Sequence, residues 1–175
     1  GGGLTRLGSD NLIMACAHIA HDCLVGSGTI FGNGATLAGH VEVHGHATVS
    51  AYSGVHQFCR VGRHAFIGGY SVVSKDALPF SKTVGNRPAR ILGLNTIGLA
   101  RRGFSPETIR QLRRAYRHLL SSKLDTSRAL ARIEQDQTPT AAEVKYLVDF
   151  MRTAERGVIL RRPTRRAATA RRRGS

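Results

Sequence analysis

The stretch ACAHIAHDCLVG, residues 15–26, sets two histidines three apart, with an aspartate and two cysteines, inside a dozen positions. Those side chains support three chemistries. Imidazoles and thiolates can ligate a metal, with three protein ligands sufficing at a catalytic zinc. A histidine beside a carboxylate can act as a general base, the carboxylate orienting the ring and stabilising its charged form. An activated thiol could attack an acyl group. Cys16, Cys23 and Cys59 form an odd set without CxxC spacing, which reads as reduced thiols filling space in a wall. The chain has no GxSxG elbow to supply a serine nucleophile.

The element that positions these groups is legible as a repeat. Every sixth residue from Leu7 is large and apolar: Leu7, Ile13, Ile19, Val25, Phe31, Leu37, Val43, Val49, Val55, Val61, Ile67 and Val73. A period of six predicts a left-handed parallel β-helix, in which three hexads make one triangular coil and twelve make about four. An antiparallel sheet would alternate with period two instead. Glycine often follows the apolar residue directly, as at Gly8, Gly26, Gly32, Gly62 and Gly68, so each hexad reads as a short strand ending in a tight turn. The ends of such a prism are open strand edges that need covering. The first coil starts at once, so the chain reads as the C-terminal portion of a longer prism.

An 18-residue coil converts spacing into geometry, because residues 18 apart stack at about the ~4.8 Å strand separation. His21 then lies under Gly39 and Gly39 under Gln57, with Asp22 under His40 and His56 beside Gln57. His18 precedes His21 by three, while His46 and His64 stack on another edge. Two readings of this cluster stand side by side. His18, His21, His40 and His56 could serve as metal ligands with second-shell partners. Alternatively His21, Asp22 and the Gly39 amide supply a base, its orienting carboxylate and a donor for developing negative charge. Asp22 follows His21 directly, so on a regular strand the two would point to opposite faces. A corner, where alternation breaks, would restore their contact.

Beyond Asp76 the pattern changes. SPETIRQLRRAYRHLLSS predicts a helix capped by Ser105, with Pro106 in its first turn and Ile109, Leu112, Tyr116, Leu119 and Leu120 on one face. TSRALARIEQ and TAAEVKYLVDFMRTAE predict two more, roughly over 126–135 and 140–155. The expected organisation is a prism over 1–78, a connecting segment over 79–104, a helical domain over 105–160 and an arginine-rich tail over 161–175. Residues 1–100 hold 7 Lys/Arg against 4 Asp/Glu, residues 101–175 hold 19 against 7, and seven of the last fifteen residues are arginine. Such a tail cannot bury a core and is expected to stay disordered, binding anions weakly and no specific nucleic acid. No run approaches the 18 apolar residues of a transmembrane segment and the start lacks a basic and apolar leader, so a cytoplasmic location is expected.

The motifs GGGLTRLGSDNLIMACAHIAHDCLVG, ATLAGHVEV, GVHQFC and GLNTIGLARRGFS, in that order and spacing, resemble the UDP-N-acetylglucosamine O-acyltransferases, the hexapeptide-repeat family that opens lipid A biosynthesis in Gram-negative bacteria. The resemblance runs from Gly1 to about Leu160. It implies transfer of a (3-hydroxy)acyl chain from acyl carrier protein to the 3-hydroxyl of UDP-N-acetylglucosamine, with no cofactor and no metal, by a homotrimer whose active sites lie in clefts between prisms. It implies His21 as general base, Asp22 as its holder and the Gly39 amide as oxyanion donor. His18, His40, His56 and Gln57 match substrate-contacting positions, and Gly69 matches the position that limits acyl chain length. Asn95, Arg101 and Arg102 match positions holding the nucleotide's phosphates and the donor's acidic surface, where arginine forks suit a diphosphate. The chain lacks about the first hundred residues of the family. GNRPARILGLN is one residue longer than the commonest pattern, and Ile97 stands where some members carry an acid. On the next helix Arg110, Arg113, Arg114 and Arg117 form a ridge at helical spacing, a dock for an acidic carrier protein. The competing readings are a zinc-dependent β-helix hydratase of the carbonic anhydrase type, which stoichiometric zinc would reveal, and a nonfunctional truncated remnant.

Overall fold

The computed structural model describes residues 3–120, 125–136 and 141–160; the arginine-rich tail expected over 161–175 lies outside them. Twelve two-residue strands follow one another at six-residue steps: β1 (Arg6–Leu7), β2 (Leu12–Ile13), β3 (His18–Ile19), β4 (Leu24–Val25), β5 (Ile30–Phe31), β6 (Thr36–Leu37), β7 (Glu42–Val43), β8 (Thr48–Val49), β9 (Gly54–Val55), β10 (Arg60–Val61), β11 (Phe66–Ile67) and β12 (Val72–Val73). Each of β1 to β9 pairs in parallel with the strand 18 residues on, as Arg6 with Leu24, Leu12 with Ile30 and His18 with Thr36. The result is a parallel β-solenoid of about four turns with three walls. Wall A is β1-β4-β7-β10, wall B contains β2-β5-β8-β11 and wall C is β3-β6-β9-β12.

Within each strand the second residue points inward. From Val25 to Val73 this inner ladder is at most 4% exposed, whereas Leu7 and Ile13 in the first coil are 42% and 43% exposed. Between strands the chain turns through an edge, and one residue per hexad there has a positive φ: Asp10, Cys16, Asp22, Gly28, Gly34, His40, His46, Tyr52, Phe58, His64 and Tyr70. Only two of these are glycine. The glycines directly after the apolar residues serve a different need, because a Cβ at Gly32 would lie 2.5 Å from the Ala51 nitrogen of the next coil. They permit close backbone approach. The cysteines divide: Cys23 and Cys59 are fully buried wall residues as expected, but Cys16 is exposed, since it occupies a left-handed position on an edge rather than a slot facing the interior.

The 18-residue register ends past Val73. Ala77 bridges to Val61 and Lys82 pairs with Phe66, both 16 apart. The stretch read as a connection carries two strands, β13 (Ser81–Val84) and β14 (Arg90–Leu94), in an antiparallel hairpin that extends wall B. A short helix, α1 (Thr96–Arg101), follows, capped by Asn95, whose side chain accepts from the Gly98 N–H. Then come α2 (Pro106–Leu119), capped by Ser105, α3 (Thr126–Gln135), capped by Asp125, and α4 (Ala142–Arg152). Ile109, Leu112, Tyr116 and Leu119 are buried on the apolar face of α2.

Prism and helices are joined by a buried ion pair. Arg60 Nε donates to Asp76 Oδ2 at 2.8 Å, its backbone N–H donates to Asp76 Oδ1, and its two terminal nitrogens donate to Thr153 Oγ1 and the Phe150 carbonyl. Its guanidinium lies 4.2 Å from the Phe150 ring centroid. With each guanidinium nitrogen and both carboxylate oxygens hydrogen-bonded, this pair meets the condition under which a buried ion pair holds rather than disrupts a fold.

Candidate active site

The residues of the opening motif come together on the edge between walls C and A. Asp22 sits at φ +59°, which turns its side chain away from strand alternation and back to its neighbour. Its Oδ2 lies 2.7 Å from His21 Nδ1. A carboxylate only accepts, so Nδ1 carries the proton and the neutral ring keeps its lone pair at Nε2. His40, 18 residues after Asp22, brings its Nε2 to 3.7 Å from the same oxygen. Its ring meets His21 edge-on at 5.2 Å and stacks on Phe58 at 4.7 Å. The hydrogen bond from His21, with the His40 ring adding a Coulomb contribution, holds the Asp22 carboxyl below the usual carboxylate range. Asp22 is therefore charged wherever an ordinary histidine titrates.

Gly39 lies over the His21 ring. A Cβ there would be 2.6 Å from His21 Cε1 and 2.7 Å from Nε2, so only glycine lets the imidazole rest on this backbone. Gly39 is buried, and its N–H donates to no group among the described residues, an uncommon state for a buried amide. A base with a free lone pair and an unspent backbone donor thus share one edge.

The other expected site residues divide among positions. His18 is exposed on the outer face of β3, just before this edge. His56 is exposed and turns its Nδ1 to the carbonyl of the likewise exposed Gln57, 3.2 Å away. Among the described residues neither His18 nor His56 makes a hydrogen bond or ring contact with His21. The fourfold histidine cluster thus reduces to His21, Asp22 and His40, the one group among the described residues whose ligand atoms lie within 4.8 Å of one another. The 2.7 Å between His21 Nδ1 and Asp22 Oδ2 is a hydrogen-bond distance, shorter than the roughly 3.3 Å that two ligands ~2 Å from a tetrahedral zinc would keep. Cys23 points inward, donates to the Ala38 carbonyl, and burial pushes its thiol pKa up, the opposite of activation.

Gly69 lies on the edge between walls B and C, beside the stacked, exposed Tyr52 and Tyr70. Asn95, Arg101 and Arg102 lie by the third edge, between A and B. There they line a cavity of about 560 Å³ with His46, His64, Lys82 and Ile97. Phe58 was not singled out from the sequence, although the 18-residue interval from His40 marks it. Lys82 could not be found that way, since the register changes before it. Of the arginine ridge on α2, Arg110 pairs with Glu107 and Arg114 reaches the Asp136 carbonyl. Arg113 and Arg117 are exposed and make no ion pair among the described residues.

Comparison with known proteins gives a consistent answer. Residues 76–159 match the family described as Udp N-acetylglucosamine O-acyltransferase, Domain 2, and residues 5–39 match the bacterial transferase hexapeptide repeats. An acyl-[acyl-carrier-protein]--UDP-N-acetylglucosamine O-acyltransferase from Thiobacillus denitrificans is 49% identical over 157 residues, 90% of this chain and 60% of that protein. The enzyme of the same name from Alkalilimnicola ehrlichii is 44% identical over 160 residues, again 90% and 60%. The crystal structure of a UDP-N-acetylglucosamine O-acyltransferase from Moraxella catarrhalis superposes with a TM-score of 0.85 at 36% identity, covering 91% of this chain and 61% of that one. The chain thus spans about three fifths of the length of the curated relatives it matches. Among the described residues no helix is long and apolar enough to cross a membrane.

Proposed function

Because this chain belongs to the UDP-N-acetylglucosamine O-acyltransferase family, we propose that it carries the catalytic edge of an enzyme that moves a (3-hydroxy)acyl chain from acyl carrier protein to the 3-hydroxyl of UDP-N-acetylglucosamine, the first step of lipid A biosynthesis. The observation that carries this reading is the His21 imidazole lying against Gly39 with Nδ1 bound to Asp22. His21 Nε2 takes the proton of the sugar 3-hydroxyl as its oxygen attacks the thioester carbonyl. The negative charge arising on the carbonyl oxygen is met by the Gly39 N–H, and a single such donor is worth about 10²–10³ in rate. The intermediate collapses by expelling the carrier thiol, which recovers the proton from the His21 imidazolium. Asp22 stays ionised throughout, fixing the tautomer and stabilising that cation. The ester and the free thiol account for every atom of the two substrates.

His18, His40, His56 and Gln57 are then contacts for the sugar and acyl group, Gly69 borders the acyl chain, and Asn95, Arg101 and Arg102 bind phosphates. These sets lie on three different edges of one prism. A homotrimer, in which one subunit's C–A edge faces its neighbours' other edges, supports their joint action and makes an isolated chain inactive. Arg113 and Arg117, with Arg110 and Arg114, form the acidic carrier's dock. The cytoplasm, where acyl carrier protein and nucleotide sugars reside, is the matching compartment.

The test is acyl transfer from a 3-hydroxyacyl carrier thioester to UDP-N-acetylglucosamine, with sedimentation to establish the assembly. His21→Ala should cost about 10²–10⁴ in kcat, as loss of a general base does. A rate indifferent to that substitution would refute the assignment.

A further inference from the structure

On the A–B edge, Arg102 Nη1 donates to His46 Nδ1 at 3.0 Å, across 56 residues of chain. A guanidinium has no acceptor, so His46 must be neutral and protonated at Nε2 in this contact. Among the described residues no carboxylate pairs with Arg102. This contrasts with Arg60, whose charge is neutralised by Asp76. An arginine held by a neutral acceptor is oriented without losing charge to its holder.

The holder, though exposed, is itself stacked. The His46 ring stacks on His64 at 4.8 Å and 21°. His64 continues onto Phe80 at 5.9 Å and meets Phe104 edge-on at 4.9 Å. One coil below, a Cβ on Gly28 would lie 2.5 Å from His46 Nδ1, so glycine there makes room for the ring. Burial lowers the His64 pKa to about 4, so at neutral pH the ring stacked above His46 is not a second cation. The cavity beside this ladder is lined by Lys82, Arg101 and Arg102 and by no acidic residue.

We infer that His46 is a positioning residue for Arg102, fixing its guanidinium at the cavity so that it meets the diphosphate of the nucleotide sugar already oriented. The inference rests on the acyltransferase reading for its ligand and on the His46–Arg102 contact for its geometry. It predicts coupling between the two residues. The charged and titratable groups around His46 are His64 above it, Lys82 from β13, and Arg101 and Arg102 from α1. All are cationic or able to become so, so only a neutral His46 can hold Arg102 here.

The experiment titrates uridine diphosphate by calorimetry into the full chain and into His46→Ala, His46→Gln, Arg102→Ala and the His46→Ala/Arg102→Ala double variant. His46→Ala should weaken binding about three- to tenfold, the effect of leaving one long side chain to be ordered on binding. The double variant should bind no more weakly than Arg102→Ala alone. His46→Gln, whose amide oxygen can accept but does not titrate, should stay within about twofold of the parent. In turnover, His46→Ala should raise KM for the nucleotide sugar with kcat and the carrier KM retained. Equal losses from His46→Ala with and without Arg102, or no loss at all, would overturn the inference. A parent chain that binds uridine diphosphate with this coupling yet transfers no acyl group would sink the catalytic reading and leave the positioning role standing. A parent chain that binds none would overturn both.

Discussion

Replacing Gly39 with alanine adds one methyl group where the His21 ring lies. The new Cβ would be 2.6 Å from Cε1 and 2.7 Å from Nε2, against 3.4 Å at the near limit of ordinary contact. The ring therefore has to retreat by about 0.8 Å, the difference between 2.6 and 3.4 Å. It can do so, because the His21 side chain is 66% exposed, so the substitution should hardly change the unfolding temperature. The retreat pulls Nδ1 from its 2.7 Å bond to Asp22 Oδ2 and moves Nε2 off the line to the sugar hydroxyl. A displacement near 1 Å at a reacting group is worth about 10²-fold in rate, and that is the expected fall in kcat. The backbone N–H survives in alanine, so the loss should pass through His21 alone, and Gly39→Ala should add little in a His21→Ala background. The assay is thiol release from the acyl carrier thioester in the presence of UDP-N-acetylglucosamine, with thermal unfolding in parallel. A folded Gly39→Ala protein with a full rate would refute the arrangement of base and donor argued above.

Asp76→Ala should destabilise the fold by about 3–5 kcal/mol, because it strands the Arg60 guanidinium among buried groups. At roughly 2–4 °C per kcal/mol for a chain of this size, the melting temperature should drop by well over 5 °C, and a drop near zero would contradict the role given to the pair. Burial holds His64 neutral in the fold down to about pH 4, whereas unfolded it takes a proton near 6.5. Between those values the unfolded chain binds more protons, so stability is complete above 6.5 and declines as pH falls through the window. Denaturant midpoints across this range should shift less in His64→Gln, and equal slopes would argue against a half-buried neutral ring. Reversing Arg113 and Arg117, the two ridge arginines without an ion pair among the described residues, should raise KM for the carrier thioester, more at low ionic strength than at high. The KM for the nucleotide sugar should not move, and a salt-independent or shared change would discount the dock.

Much of the candidate edge was legible because a six-residue period leaves little freedom. Once Leu7, Ile13 and their successors face inward, every residue's coil and edge are set, so Gly39 above His21 and His46 beneath His64 follow from counting. The same count marks Phe58 above His40. The positive-φ positions were not legible, since at most of them Asp, His, Cys, Tyr or Phe occupies a conformation for which glycine is the usual signal. For that reason the contact between Asp22 and its own neighbour His21 stood open in the sequence and was decided by the corner. The exposure of Cys16 has the same origin.

What the sequence determined alone is the solenoid, its apolar ladders, the edge shared by base and backbone donor, and the amphipathic helices, because each depends on a local period of six or 3.6 residues. What only the tertiary structure decided lies where the period breaks: the 16-residue register after Val73, the hairpin on wall B, the Arg60–Asp76 clasp and the meeting of Arg102 with His46. Those contacts join segments whose separation follows no repeat. Their geometry comes from how the hairpin and helices pack against the last coils, a balance of burial and hydrogen bonding that no spacing in the chain expresses.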